Sequence, residues 1–278
     1  MKSFLLATLA ALSFNAFSQS YLIMENGITI TTDTSGFSYD FGHYTFPQKV
    51  IIKGGQYFVE EGGILGTIDE NGLLFRKYEL IPSKIRGKGL NYFISEEGFL
   101  YAFDKKGYLK VTESELYMSA TNFGGNFFTV ANDPEKTDID LYVVTSEGLV
   151  SKVEVPNLDP KDIVTFGGNY FMSNRGIVFT VSTSGQITIK DDMRVGIIAK
   201  KGGNYFTDSS GYFFTVSEEG ELVMPALPIS MHIADINKTG SNYFIDKVGK
   251  LFVVDKKGNV FEKIMRDHDF NTAKVISL

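Results

Sequence analysis

Apolar and polar residues alternate along this chain in short runs, separated by glycine, asparagine, aspartate and serine. Runs such as "KVIIK" (49–53), "NYFI" (91–94), "FLYAFD" (99–104) and "YLKVT" (108–112) are rich in β-branched and aromatic residues and bounded by turn formers. That is the pattern of strands, because alternating side chains on a pleated backbone point to opposite faces. The four runs recur in this order, and each recurrence carries a glycine-led motif ending in two aromatic residues. The motif begins at Gly54, Gly89, Gly124, Gly167, Gly202 and Gly240, with spacings of 35, 35, 43, 35 and 38 residues. A period of this length indicates a repeat architecture.

The links between runs predict antiparallel hairpins. The third run closes with an oxygen-bearing residue followed three positions later by glycine, at Asp33/Gly36, Asp69/Gly72, Asp104/Gly107, Thr145/Gly148, Ser182/Gly185, Ser217/Gly220 and Asp255/Gly258. The side-chain oxygen accepts nearby backbone N–H groups, and glycine supplies the turn geometry that returns the chain to the ladder. A parallel β-solenoid also has a periodic β sequence, but its coils run on without reversing, so seven tight turns count against it. The Asn of the Gly-Gly-Asn-Tyr-Phe motif reads as a turn residue between the first and second strands.

A partial seventh copy opens at Tyr21, where Tyr21, Gly27, Asp33 and Gly36 fall on Tyr92, Gly98, Asp104 and Gly107. Its missing first strand is matched at the other end of the chain by "KVISL" (274–278). Seven units of four strands predict an all-β fold, a seven-bladed β-propeller over residues 19–278 as a single domain. In it the C-terminal strand would complete the N-terminal blade and hide the exposed edges.

The pattern GGNYF-x4-G-x-L-[FY]-x-V-[DS]-x-x-G-x-[LV] resembles short-bladed bacterial propellers of the NHL or WG-repeat kind, over essentially the whole chain after residue 18. The shared closing blade is similar to that of WD40 proteins. The resemblance is one of architecture and turn chemistry; propellers of this kind host binding, scaffolding and enzymatic roles alike.

Residues 1–18 read as a secretory signal peptide: Lys2, an apolar run over 4–12, then Ala16-Phe17-Ser18 before the cleavage point. The run is broken by Ser13 and Asn15, short of the roughly 20 apolar residues needed to span a bilayer. The expectation is an exported protein, periplasmic or extracellular, with no transmembrane segment. The chain has no cysteine, which excludes disulfides and thiolate chemistry. Loss of residues 1–18 leaves 26 basic and 33 acidic residues, a formal charge of −7, which argues against nucleic acid as a partner.

A residue found in every unit serves folding, so functional residues are sought where the repeat is broken. The links between strands two and three, and between strand four and the next unit, leave on one face of a propeller and vary most in sequence. That loop-rich face is the expected binding surface, with His43, Tyr44, Arg175, Arg194, Asp267 and His268 as candidate binding residues. Two histidines with neighbouring carboxylates suit divalent-metal or acid-base chemistry, and solvated surface residues are the plainer alternative. Asp133, Glu135, Asp138 and Asp140 form an acidic insertion with oxygen donors suited to Ca²⁺, yet it lacks the turn glycine of an EF-hand-like loop. Arg175 and Arg194 suit a carboxylate or sulfate.

No G-x-S-x-G, H-E-x-x-H or P-loop occurs, and there is no tryptophan for stacking on sugars. The leading expectation is therefore a non-enzymatic binding or scaffold protein, without a resident cofactor, for a protein or cell-envelope component. A metal-assisted hydrolase or lyase at the channel mouth near His43 and His268 is the alternative. A glycan-binding module is the third.

Overall fold

Each β-branched and aromatic run of the repeat folds as a strand in the computed structural model, which describes residues 20–24, 28–32, 38–43, 50–79, 82, 84–133, 135, 138–156, 158–190, 195–263 and 273–274. Blade one comprises Val50–Lys53, Tyr57–Glu60, Ile64–Ile68 and Leu74–Tyr78. Blade two comprises Ile85–Lys88, Tyr92–Ser95, Phe99–Phe103 and Leu109–Glu113. Blade three follows with Ala120–Phe123, Phe127–Ala131, Ile139–Val144 and Val150–Val153, and blade four with Ile163–Phe166, Tyr170–Ser173, Val178–Val181 and Ile187–Lys190. Blade five holds Ile198–Lys201, Tyr205–Asp208, Phe213–Val216 and Leu222–Val223, and blade six Ile236–Thr239, Tyr243–Asp246, Leu251–Val254 and Val260–Lys263. Within every blade, sequential strands pair antiparallel, giving the all-β propeller expected.

The count of seven is corrected to six: six blades are each built from four consecutive strands. The segment expected to make a seventh gives Ser20–Met24, Ile28–Thr32 and Ser38–His43, in one sheet with the two-residue strand Ala273–Lys274. Of the expected closing strand over 274–278 the described residues include Lys274, which pairs with Ile23, while Ala273 pairs with Met24. Residues 275–278, like 1–19, lie outside the described residues. The physical reason lies in connectivity: each of the six blades takes its four strands in succession, whereas this sheet draws its fourth strand from far along the chain. A described link from this sheet is the Thr31 hydroxyl, which donates to the Gly72 carbonyl of blade one.

The inter-blade ties run in concentric tiers. Nearest the axis, backbone N–H groups at the second motif position donate across blades: Gly55 to Leu90 O at 2.9 Å, Leu90 to Gly125 O at 2.6 Å, Gly125 to Gly168 O at 2.7 Å and Gly203 to Ser241 O at 2.7 Å. Asn169 N–H reaches Gly203 O at 3.1 Å, which carries the series from blade four to blade five. A Cβ on Gly168 would stand 2.0 Å from the Gly203 carbonyl oxygen, so the second glycine is there because neighbouring backbones almost touch.

One step outward, buried tyrosine hydroxyls donate to the backbone carbonyl at the equivalent position of the next blade: Tyr57 to Tyr92 at 2.7 Å, Tyr92 to Phe127 at 2.6 Å, Tyr170 to Tyr205 at 3.1 Å and Tyr205 to Tyr243 at 2.7 Å. Burial holds these phenols well above their ordinary ionisation range, so they stay protonated and able to donate. The motif amide lies in the bend between strands one and two, as expected of a turn residue, and it is also a clasp between blades: Gln56 donates to Asp104 O at 3.1 Å, Asn91 to Thr145 O at 3.1 Å and Asn126 to Ser182 O at 3.3 Å.

The outermost tier joins the turns between strands three and four. Backbone N–H groups run from Glu70 to Lys105 O, Lys105 to Ser146 O, Ser146 to Thr183 O, Thr183 to Glu218 O and Glu218 to Lys256 O, at 2.8–2.9 Å. The predicted turn chemistry sits directly beneath: the Asp104 carboxylate accepts from Lys106 and Tyr108 N–H, both at 2.9 Å, and Gly107 has φ +79°. Apolar faces pack between blades, as where Tyr92, Ile94 and Leu100 of blade two meet Ala120, Phe128 and Val130 of blade three.

Candidate functional site

Strand order assigns two unlike mouths to the propeller axis. Strands one and three run towards the tight turns, so the Gly-Gly motifs and the turns closing strand three share one face, and the variable links share the other. Three of those links contain short 3₁₀ helices, Glu115–Ser119, Pro160–Asp162 and Ile233–Asp235. Two are fixed by their own sequence, Ser114 Oγ accepting from Leu116 N–H and Asp159 Oδ1 from Lys161 N–H.

The candidate residues read from the sequence fare unequally. His43 ends the strand Ser38–His43 with its backbone paired to Ile28. Its side chain, and Tyr44, Arg194, Asp267 and His268, lie outside the described residues. Arg175 is exposed in the turn between strands two and three of blade four, on the loop-rich face. The acidic insertion is the tip of the equivalent hairpin in blade three, and its groups are largely occupied with one another and with lysine. Asp138 N–H donates to Asp133 Oδ1 at 3.0 Å, Asn132 donates to Asp138 Oδ2 at 3.1 Å, and Lys152 pairs with Asp140 at 2.8 Å. Burial opposes ionisation of Asp140, but hydrogen bonds from Lys152 and Asn132 outweigh it and hold the carboxyl below its ordinary range. Glu135 is exposed. Among the described residues no group of three or more His, Cys, Asp or Glu side chains gathers to hold a metal.

The loop-rich face shows apolar side chains on two adjoining blades. Ile197 is 78% exposed, Tyr212 51%, Ile229 102% and Val248 72%. Ile197 and Tyr212 belong to the start of blade five and to its turn between strands two and three. These two segments are held together by the Ser209 N–H donating to Ile197 O at 2.7 Å. Ile229 and Val248 occupy the link into blade six and the corresponding turn of that blade, where Lys247 N–H donates to Asp235 O at 2.9 Å.

The opposite mouth holds a cavity of about 250 Å³ on the axis, lined by the last residue of strand one and the following glycines of blades two to six. Its side chains are Lys88, Phe123, Phe166, Lys201 and Thr239. Lys53 holds the same position in blade one, and its carbonyl accepts from Lys88 Nζ at 2.6 Å. Lys201 Nζ donates to Phe166 O at 3.1 Å. Burial, and then the charge of Lys53, lower the Lys88 pKa. Among the described residues no carboxylate lines the cavity, and none of the ion pairs found involves Lys53, Lys88 or Lys201.

Reading the repeat for its loops missed this mouth. The signal was nonetheless in the repeat: the residue before the first glycine is Lys53, Lys88, Phe123, Phe166, Lys201 and Thr239 in successive units. That column varies in chemistry inside an otherwise uniform motif.

No protein-family model and no curated protein matches the chain. Among solved structures it is similar to a streptogramin B lyase, at 16% identity and a TM-score of 0.35 over 91% of this chain and 96% of the other. A virginiamycin B lyase from Staphylococcus aureus aligns at 14% identity and a TM-score of 0.36, over 90% of this chain and 96% of the other. BamB from Moraxella catarrhalis aligns at 13% identity and a TM-score of 0.26, over 90% and 83%. No chemistry is carried to this chain from likenesses at that level.

Proposed function

We propose that this chain is an exported, non-enzymatic binding propeller of the NHL or WG-repeat kind that docks a protein or cell-envelope component on its loop-rich face. The observation that carries the reading is the exposure of Ile197, Tyr212, Ile229 and Val248 on adjoining links of blades five and six. Apolar and aromatic side chains left in water on one face of a tied ring favour a partner that removes them from it. Burying an aliphatic side chain of this size is worth about 1.5–3 kcal/mol, and little of that gain is spent on ordering a scaffold whose blades are already tied together. The amino-terminal pattern of Lys2, an apolar run and Ala16-Phe17-Ser18 supports export.

The test is a crosslinking pull-down from native envelope extract, with mass spectrometry, using the wild-type chain and an Ile197→Ser, Ile229→Ser, Val248→Ser variant. These side chains are exposed, so the variant should keep the wild-type melting temperature and lose the captured partner. A partner retained at wild-type yield by a folded variant would refute docking on this face.

A further inference from the structure

We propose that the cavity at the tight-turn mouth of the axis is a binding site for a small carboxylate with an apolar body. This site is on the opposite face from the proposed docking surface and does not depend on it.

The charge is built in by the repeat. Lys53, Lys88 and Lys201 end strand one of their blades, and the ring brings these chain positions, far apart in sequence, to one mouth. The chain has a surplus of acidic residues, yet among the described residues neither the cavity lining nor the ion pairs provide these three ammonium groups with a carboxylate. Lys88 and Lys201 each spend a donor on a backbone carbonyl of another blade, Lys53 O and Phe166 O, which fixes the side chains in position. An ammonium has three donors, so each keeps capacity for a ligand. Lys88 is also partly desolvated beside Lys53, and an anion would relieve both the desolvation and the repulsion.

The rest of the lining sets the ligand class. Phe123 and Phe166, on the blades between Lys88 and Lys201, give the cavity an apolar wall. Phe166 is fixed in turn by stacking on Phe127, with ring centroids 6.1 Å apart. The remaining lining is mostly glycine, whose lack of side chains creates the space, and Thr239 adds a hydroxyl. At about 250 Å³ the cavity is smaller than the roughly 300–1,000 Å³ typical of drug-sized ligands. It therefore suits a compact acid, or the terminal carboxylate and last side chain of a peptide. Lysine acts as a point charge without the planar fork of arginine, which suits a single carboxylate offered end-on.

Isothermal titration of the purified full chain with benzoate, N-acetylphenylalanine and N-acetylphenylalaninamide tests this directly. Both carboxylates should be offered to wild type, Lys88→Gln and Lys201→Gln, with thermal melts establishing that each variant is folded. The expected result is binding of at least one carboxylate, no binding of the amide, and at least about tenfold weaker binding in each lysine variant. Binding of benzoate alone identifies a free small acid as the source of the carboxylate. Binding of N-acetylphenylalanine alone identifies a peptide terminus. Lys201→Gln keeps the test decisive if Lys88→Gln fails to fold, because Lys201 is exposed. The proposal is overturned if wild type binds neither carboxylate, if the amide binds as tightly as the acid, or if the folded variants bind like wild type.

Discussion

The tyrosine tier offers a comparison already written into the repeat, because Phe127 stands where five of the six blades have tyrosine. Tyr92 is fully buried, and its hydroxyl donates to Phe127 O at 2.6 Å and lies 3.0 Å from Gly124 O. Tyr92→Phe removes that donor without changing the packed ring. Phe127 O keeps the Gly124 N–H at 2.8 Å, so it is not left without a partner. The loss is then that of one net hydrogen bond plus part of the desolvation of Gly124 O, about 1–3 kcal/mol. Phe127→Tyr should work in reverse, placing a hydroxyl against the Tyr170 and Gly167 carbonyls as its counterparts do in other blades. Its gain should be about 1 kcal/mol. Urea denaturation at equilibrium measures both as shifts in midpoint at constant slope. If Tyr92→Phe leaves the midpoint unchanged while Phe127→Tyr lowers it, the hydroxyl-to-carbonyl ties do not hold the blades together and the reasoning fails.

Two further predictions rest on the same interior. Burial raises the pKa of Tyr57, Tyr92, Tyr170, Tyr205 and Tyr243 above the ordinary value of 10.0. Above that pH the unfolded chain releases protons that the folded chain retains, so stability is intact below about pH 10 and falls as pH rises further, by up to about 1.4 kcal/mol per pH unit for each tyrosine. Tyrosinate absorbance and loss of circular dichroism should therefore rise together in one alkaline transition, and titration of these five groups near pH 10 in a folded chain would contradict their burial. Gly168→Ala should destabilise by more than about 3 kcal/mol or prevent folding, because its Cβ would overlap Gly203 backbone at 2.0 Å. Gly211→Ala meets nothing within 4 Å and carries only the strain of φ +85°, about 1–2 kcal/mol; equal losses in the two variants would discredit the close-approach account of the paired glycines.

The turn chemistry was legible residue by residue. Asp104 and Gly107 identify their turn because an aspartate oxygen and a positive-φ glycine act within a few positions of themselves. The motif Asn was legible as a turn residue but not as a clasp between blades. Asn91 sits in the bend between strands one and two, and its amide donates to Thr145 O in the next blade; no local pattern identifies a partner at that separation. The loop-rich face followed from strand order, and exposed Arg175 is on it; in the acidic insertion Asp133 accepts from Asp138 N–H, Asp140 pairs with Lys152 and Glu135 is exposed.

By itself the sequence determined the strands, the hairpins and the propeller architecture, because alternation and turn formers act over a few residues and the period repeats that local solution. Tertiary structure alone decided the number of complete blades, since six units supply their four strands in succession while the sheet of Ser20–Met24 draws its fourth strand, Ala273–Lys274, from far along the chain. It also decided what the motif glycines are for and where Lys53, Lys88 and Lys201 go. Close backbone approach and the convergence of like positions on an axis arise only when the ring forms, from residues separated by a whole repeat or more.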